Sequence, residues 1–388
     1  MAVTEERETE RREIVRFVRE FVEREIIPVA HDLEHDDVYP EHIVRQMKEL
    51  GFFGFAIPER YGGAGLDMET YAAVCEEIAR GWMSITGVIN THFIVAYLVE
   101  HFGTDEQRTR FLPAMATGEM HGGFSMSEPG CGSDVQAIRT RAVRDGDDYV
   151  INGTKMWATN GEHATVVATL VKTDPEARPA HRGMSCILAE KRHPGFTASR
   201  RIEKLGYKGV ETTELVFEGN RQPAANLLGG VEGQGFKQMM AAIEVGRINV
   251  AARGVGVAQR AFELAIRYAQ ERQTFGKPIA EHQAIQFYLA DMATKIEAAR
   301  LLTRMAAQRK DSGERVDVEA GMAKLFATEM CLEVVTDAMR VHGGYGYSKE
   351  YLVEQLYRDA PLLIIGEGTS EIQKLIIARG LLQRYRVT

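Results

Sequence analysis

The 62 residues from Asn249 to Lys310 contain a single proline, Pro278. Strands seldom exceed about ten residues, whereas a helix runs on until a proline or glycine stops it. The stretch therefore reads as two long helices parted at Pro278. Further helices are predicted over Asp317–His342, Lys349–Tyr357 and Ser370–Tyr385, so that from Phe236 onward the chain reads as an antiparallel bundle. The N-terminal part is helical as well. Ile14, Phe17, Val18, Phe21 and Val22 fall at i, i+3, i+4, i+7 and i+8, one apolar stripe that Pro28 is expected to end. Helices are also expected over Met68–Ala79, after the glycine-rich turn Tyr61–Gly65, and near Val88–Phe102.

The period changes near His121. Tyr149-Val150-Ile151, Asn152-Gly153 and Thr154–Trp157 read as a hairpin with a two-residue turn. Ala164–Lys172, Met184–Ala189 and Leu215–Phe217 read as further strands. The expected fold class is α+β: an N-terminal helical domain (1–120), a small β-barrel-like middle domain (121–232) and a C-terminal four-helix bundle (233–388).

Charge narrows the function. A net charge of −8 over 388 residues argues against nucleic-acid binding, which calls for a basic face, yet local arginines can still meet an anionic ligand. The Glu5–Arg12 run has neither the apolar core of a signal peptide nor the acid-poor character of a transit peptide. No apolar run reaches the ~20 residues that span a bilayer. Cys75, Cys131, Cys186 and Cys331 form no CxxC pair, so no disulfide or cysteine zinc site is expected. The expected location is the reducing cytoplasm.

Several segments could carry chemistry. Ser125–Asp134 combines hydroxyls with Gly130 and Gly132, which let a backbone approach a ligand; taken alone, an ordinary turn explains it better. Trp157, on a predicted strand, reads by itself as core. Glu367 stands between Leu362–Ile365 and a capping-box pattern, Ser370 with Gln373, on the loop before a helix. Apolar surroundings would raise its pKa toward that of a general base; equally, it could simply favour a positive helix end. Two other patterns are weaker. His31–His35 matches H-x-x-E-H of zinc peptidases but lacks a third ligand, and Gly254-Val255-Gly256 reads as close helix packing rather than a dinucleotide fingerprint.

Together these segments resemble the acyl-CoA dehydrogenase family over essentially the whole chain. The resemblance rests on Pro58–Gly63, Ser127–Asp134, Met156–Gly161, Lys204–Gly206, Glu271–Lys277, Glu281–Ala284, Gly343–Gly346, Arg358–Ala360 and Glu367–Ser370, in that order. It implies FAD as cofactor, an acyl-CoA thioester as substrate and electron-transfer flavoprotein as electron acceptor. A homotetramer is implied, with no membrane span and no metal. Glu367 would be the catalytic base, with Ser133, Glu244, Arg247 and Gly368 near the substrate. Ser127 and Thr159 would bond the isoalloxazine and Trp157 would flank it, with Phe124, Met126, Gly132 and Ser133 close by. Arg272, Thr274, Phe275, His282, Gln283, Arg340, Gly343 and Gly344 would reach the cofactor across a subunit contact, and Thr369 and Glu371 would lie beside it.

Some relatives carry their base immediately before the arginine that Arg247 matches. Here that position is Gly246, and Glu244, about 200° further round a helix, faces elsewhere. Arg340, Gly366 and Gln355 depart from the family pattern. Gly246 and Gly366 widen the pocket near the thioester, while bulky His92, Phe93 and Tyr97 on a short Gly87–Gly103 segment limit its depth. Short, branched or cyclic acyl groups are therefore expected. An acyl-CoA oxidase on the same fold is the nearest rival, although such oxidases carry an added C-terminal domain. A helical binding protein without chemistry and a zinc hydrolase are the remaining alternatives.

Overall fold

The computed structural model describes residues 5–387. Its N-terminal part holds six helices: α1 (Glu5–Phe21), α2 (Ile27–His35), α3 (Glu41–Glu49), α4 (Met68–Gly81), α5 (Met83–Phe102) and α6 (Asp105–Ala116). Pro28 does not end the first helix as expected. A π turn, Val22–Ile26, closes on the Val22 carbonyl and hands the chain to α2, which begins with Pro28 in its first turn. There the missing N–H costs little, because the widened turn has already interrupted the bonding ladder.

The middle part is a curled seven-stranded sheet. Its strands are β1 (Gly122–Ser125), β2 (Arg141–Asp145), β3 (Asp148–Thr159), β4 (Val166–Lys172), β5 (Met184–Glu190), β6 (Phe196–Arg201) and β7 (Thr212–Pro223). They run in the order β1-β4-β2-β3-β7-β6, with β5 on β4. The hairpin expected at Asn152-Gly153 is absent: β3 continues through both residues. The turn lies at Gly146-Asp147, where Asp145 pairs Asp148 and Gly146 takes φ 62°. Gly153 serves a different need. A Cβ there would fall 2.5 Å from the Thr140 hydroxyl, so glycine permits close approach at a register shift against β7. The strand expected at Leu215–Phe217 is the middle of the much longer β7.

The long helix α7 (Gly235–Glu271) leads through a two-stranded ribbon, β8 (Gln273–Thr274) and β9 (Lys277–Pro278), into α8 (Gln283–Asp311) and α9 (Asp317–His342), which are joined by α10 (Val353–Ile365) and α11 (Ser370–Arg384). The predicted break at Pro278 therefore stands as a hairpin. The helix expected to stop at Tyr357 runs on through Pro361 to Ile365. Buried Leu356, Ala360 and Leu363 anchor both sides of the proline, and that packing outweighs one lost backbone bond. Small residues let α7 sit close to its neighbours: a Cβ on Gly254 would lie 2.8 Å from the Ala327 carbonyl of α9, and one on Gly256 2.2 Å from that of Glu76 in α4. By length and mean composition alone α5 could cross a membrane, yet 89% of its most apolar window is buried within the chain. It is the core helix against which β1 and α7 both pack.

Candidate active site

Glu367 stands on the three-residue turn between α10 and the capping residue of α11. It is held at φ 53°, a left-handed conformation that costs a residue with a Cβ about 1–3 kcal/mol and so needs outside support. Support comes from several sides. Lys324 of α9, fully buried, donates to the Gly368 carbonyl at 2.8 Å, and Gln373 donates to the same oxygen at 3.0 Å. Thr369, not Ser370, caps α11 by accepting from the Ile372 N–H. Ser370 instead donates to Glu329 at 2.6 Å. The expected capping box is absent: the cap moves back one residue to Thr369, whose third helical position is Ile372, because Glu329 on α9 offers the serine hydroxyl a stronger, charged acceptor.

The residue is half-buried, but both the tip of its side chain and its charge are enclosed. Oε1 accepts 2.6 Å from the Asn90 amide of α5; Oε2 is buried without a partner. That second oxygen rests on Gly246 of α7, where a Cβ would fall 1.9 Å away. Gly246 and Glu367 therefore share one space, and any larger residue at 246 would displace the carboxylate. Burial raises the Glu367 pKa above its ordinary value; Arg253, the Asn90 bond, Lys324 and Arg247 each act against that rise.

The cations are themselves constrained. Arg247 is buried, forms no ion pair among the described residues, and has its Nε unpartnered; burial lowers its pKa. Arg253 bonds Asn249 at 2.6 Å and the Tyr207 hydroxyl at 3.4 Å. Burial pulls Lys324 down to about 8. Glu244 does not face Glu367: it pairs with Lys310 at 3.4 Å, and that ammonium lies over the Tyr97 ring. The face of α5 toward Glu367 carries Asn90, Ile94 and Tyr97, one helical stripe. His92 and Phe93 lie off it. His92 bonds the Phe53 carbonyl and Phe93 packs edge-on to Tyr71, so neither fills the space beside Glu367.

A second group of residues gathers on β1, β3 and the loop after β1. Lys155, fully buried, pairs with Glu128 at 2.9 Å and bonds the Met126 carbonyl. Glu128 also accepts from the Arg139 and Thr140 N–H groups. The Met156 N–H reaches the Ser127 carbonyl at 2.9 Å, which ties the Ser127 loop to β3. The register shift between Lys155 and Ala158 gives Trp157 a φ of 65° and turns its indole outward, 59% exposed. The core reading of Trp157 is thereby overturned. Thr159 follows two residues on, half-buried, as is Ser127. Phe124 pairs with Ala168 in the sheet, Met126 is buried, and Gly132 and Ser133 are exposed.

A third group lies in the open. Arg272, Gln283, Gly343 and Gly344 are exposed, and Phe275 is 97% exposed. Thr274 bonds His282 at 3.0 Å, and Arg340 pairs with Asp337. Glu371, in the first turn of α11, is exposed as well. Among the described residues no hydrogen bond or ion pair joins this group to Glu367 or Trp157. In the remaining region, His31–His35, Glu34 is buried and paired to Arg358, and His35 lies 2.9 Å from Glu354.

Asn90, Lys324, Arg253, Tyr207 and the Lys155–Glu128 pair were not singled out from the sequence as site residues. A usable signal existed for two of them: Asn90 interrupts an apolar helix, and Lys324 sits on the same helix as the buried Ala320, Ala323 and Ala327.

Residues 8–119, 123–219 and 233–382 match the family models described as acyl-CoA dehydrogenase N-terminal, middle and C-terminal domains. An acyl-CoA dehydrogenase of Bacillus subtilis (strain 168) is 42% identical over 368 residues, 95% of this chain and 96% of the relative. The short-chain specific mitochondrial acyl-CoA dehydrogenase of Bos taurus is 43% identical over 371 residues, 95% of this chain and 89% of the relative. A chain solved in work on the electron transferring flavoprotein of Acidaminococcus fermentans superposes with a TM-score of 0.94 at 37% identity, covering 99% of both chains.

Proposed function

The chain belongs to the acyl-CoA dehydrogenase family of FAD-dependent oxidoreductases, and from that premise we propose that Glu367 removes the α-proton of a bound acyl-CoA thioester. The observation that carries this reading is the Glu367 carboxylate itself: buried, raised in pKa, tied through one oxygen and free at the other. A general base works best when its pKa is lifted toward the working pH, and burial supplies that lift.

The residues present fit FAD. Trp157 offers a flat, exposed indole, Ser127 and Thr159 place hydroxyls on adjoining segments, and a Cβ on Gly132, Gly343 or Gly344 would meet nothing within 4 Å. Ser127 and Thr159 would hold the isoalloxazine with Trp157 against it, and Phe124, Met126 and Ser133 nearby. FAD, when bound, supplies the acceptor for the β-hydride. The Glu367 backbone N–H takes part in no hydrogen bond among the described residues and would meet the thioester carbonyl as negative charge develops there. Arg247, Arg253 and Lys324 favour the ionised carboxylate against the effect of burial. Together these roles yield an α,β-enoyl thioester.

Arg272, Thr274, Phe275, His282, Gln283, Arg340 and the two glycines belong, in this reading, to the edge where a second subunit completes the cofactor site. Thr369 and Glu371 border that cofactor, and Gly368 with Arg247 the substrate. The parts 1–120, 121–232 and 233–388 frame the site between them, and the assembly is a homotetramer working in the cytoplasm. Electron-transfer flavoprotein takes up the electrons.

The preferred acyl group is short, branched or cyclic. The support is now Ile94 and Tyr97 on the α5 stripe, with Tyr97 fixed between His101, stacked at 3.9 Å, and the Lys310 ammonium. One methylene changes apolar binding by about 1–3 kcal/mol, so the preference is graded. Anaerobic mixing with straight, branched and cyclic acyl-CoA thioesters tests cofactor, reaction and substrate together. Bleaching of the flavin absorbance by the short members is expected; kcat/KM rising steadily from butyryl- to palmitoyl-CoA would refute the pocket argument.

A further inference from the structure

α5 is an apolar helix that places one buried amide against the Glu367 carboxylate. Asn90 is 3% exposed, and its Nδ2 lies 2.6 Å from Oε1. A buried amide needs partners, and the bland account is that Asn90 found one in the nearest acceptor. The geometry around it says more. Ile94, one turn further along the same face, lies 3.2 Å from where a Gly246 Cβ would be, so this face of α5 meets both the carboxylate and the glycine beneath it. The bond makes the two oxygens inequivalent: Oε1 is occupied, whereas Oε2 has no partner.

We propose that Asn90 is a positioning residue for Glu367, its amide occupying Oε1 so that Oε2 is the oxygen that receives the substrate proton. The step is a single proton transfer. The α C–H bond breaks, the new O–H bond forms at Oε2, and the electron pair left behind is delocalised into the thioester carbonyl. This rests on Glu367 being the base. A hydrogen bond to a charged acceptor also favours the ionised form, opposing the effect of burial. The other groups that face Glu367 are Arg247 and Arg253 from α7, Lys324 from α9 and Tyr207 from the loop before β7. All except Tyr207 are cationic and remain when Asn90 is changed.

Asn90→Leu removes the amide at similar size. The sign of its effect follows from the chemistry: losing a bond to the ionised form raises the pH at which Glu367 ionises, so flavin reduction in the variant needs a higher pH. Reduction at neutral pH should fall ~10- to 100-fold, the range for a hydrogen bond to a charged group, with little change in KM. A second readout is independent of turnover. The infrared C=O stretch of protonated Glu367 in the FAD-loaded enzyme, assigned by its loss in Glu367→Gln, is titrated in both proteins. Its midpoint should rise in Asn90→Leu in step with the acid limb of the reduction rate.

Asn90→Ser, whose hydroxyl is too short to span to Oε1, carries the same comparison if the leucine variant does not fold. Failure of both to fold would make Asn90 a structural residue and overturn the proposal. So would a wild-type midpoint and rate in Asn90→Leu while Glu367→Gln is inert. If Glu367→Gln itself reduces flavin normally, it is the base assignment that falls, not the placement of Asn90 alone.

Discussion

The surroundings of Glu367 and those of Phe275 are built on opposite plans. Around Glu367, α5, α7, α9 and α11 each contribute a contact, the carboxylate tip is enclosed, and the strained turn is pinned by Lys324 and Gln373. Around Phe275 the side chains point to solvent: Arg272, Phe275, Gln283 and Arg340 are exposed, with only local partners for Thr274 and Arg340. Trp157 lies between these extremes, its backbone locked by a bulge over a buried Lys155–Glu128 pair and its ring exposed. In the proposed reading the chain completes its proton-handling machinery by itself, and the exposed edge is where a second subunit would cover the cofactor.

If that contrast holds, substitutions beneath Glu367 should impair chemistry without loosening the cofactor, and those at the exposed edge should do the reverse. Apart from loss of the carboxylate itself, the largest effect is expected from Gly246→Ala. The added Cβ would fall 1.9 Å from Oε2 and push the end of a flexible side chain aside, which displaces the base but not the backbone. A misplacement of about 1 Å at a reacting group can cost on the order of 10²-fold. Stopped-flow flavin reduction should fall by that order while FAD content and Tm stay near wild type; loss of FAD instead would erase the contrast.

A smaller effect is expected from Trp157→Ala. An aromatic stacking contact contributes about 0.5–1.5 kcal/mol, so the FAD Kd should weaken by up to ~10-fold. Because the ring is exposed, Tm of the apoprotein should hardly change. A large drop in apoprotein Tm would show that Trp157 is part of the core after all. On the open edge, FAD content should decline as dilution separates subunits. Sedimentation of a flavin-saturated monomer would remove the role assigned to Arg272 and Arg340.

The smallest effect concerns stability. Glu367 has a raised pKa when folded, so its favourable contribution is complete below the unfolded pKa and is lost as pH rises through the folded one. At neutral pH the buried charge is therefore a cost, and Glu367→Gln should melt higher, by ~1–3 °C for a relief of about 1 kcal/mol. Differential scanning calorimetry at pH 5 and pH 8 should find the larger gain at the higher value. An equal gain at both would point to packing rather than charge.

Much of this was legible in the sequence, for uneven reasons. Helix order and the break at Pro278 follow from periodicity and proline chemistry, which are local. Asn152-Gly153 misled because the same dipeptide that makes turns also permits close approach, and only tertiary contact with Thr140 decides between them. Pro28 and Pro361 misled because a π turn and flanking core residues outweigh a missing N–H. Glu367 was singled out through its flanking pattern and the family resemblance. Asn90 was not, since its partner lies 277 residues away and nothing local marks the pairing.

The central claim is that one carboxylate, held wholly within one chain, starts the reaction. Its most direct test is rapid anaerobic mixing of Glu367→Gln holoenzyme with a short acyl-CoA. The amide keeps the size and can still accept from Asn90, but it cannot take a proton. The account predicts that thioester binds and perturbs the flavin spectrum while reduction slows by at least ~10²–10⁴-fold, the range for loss of a general base. Flavin bleaching at near wild-type rate would contradict it.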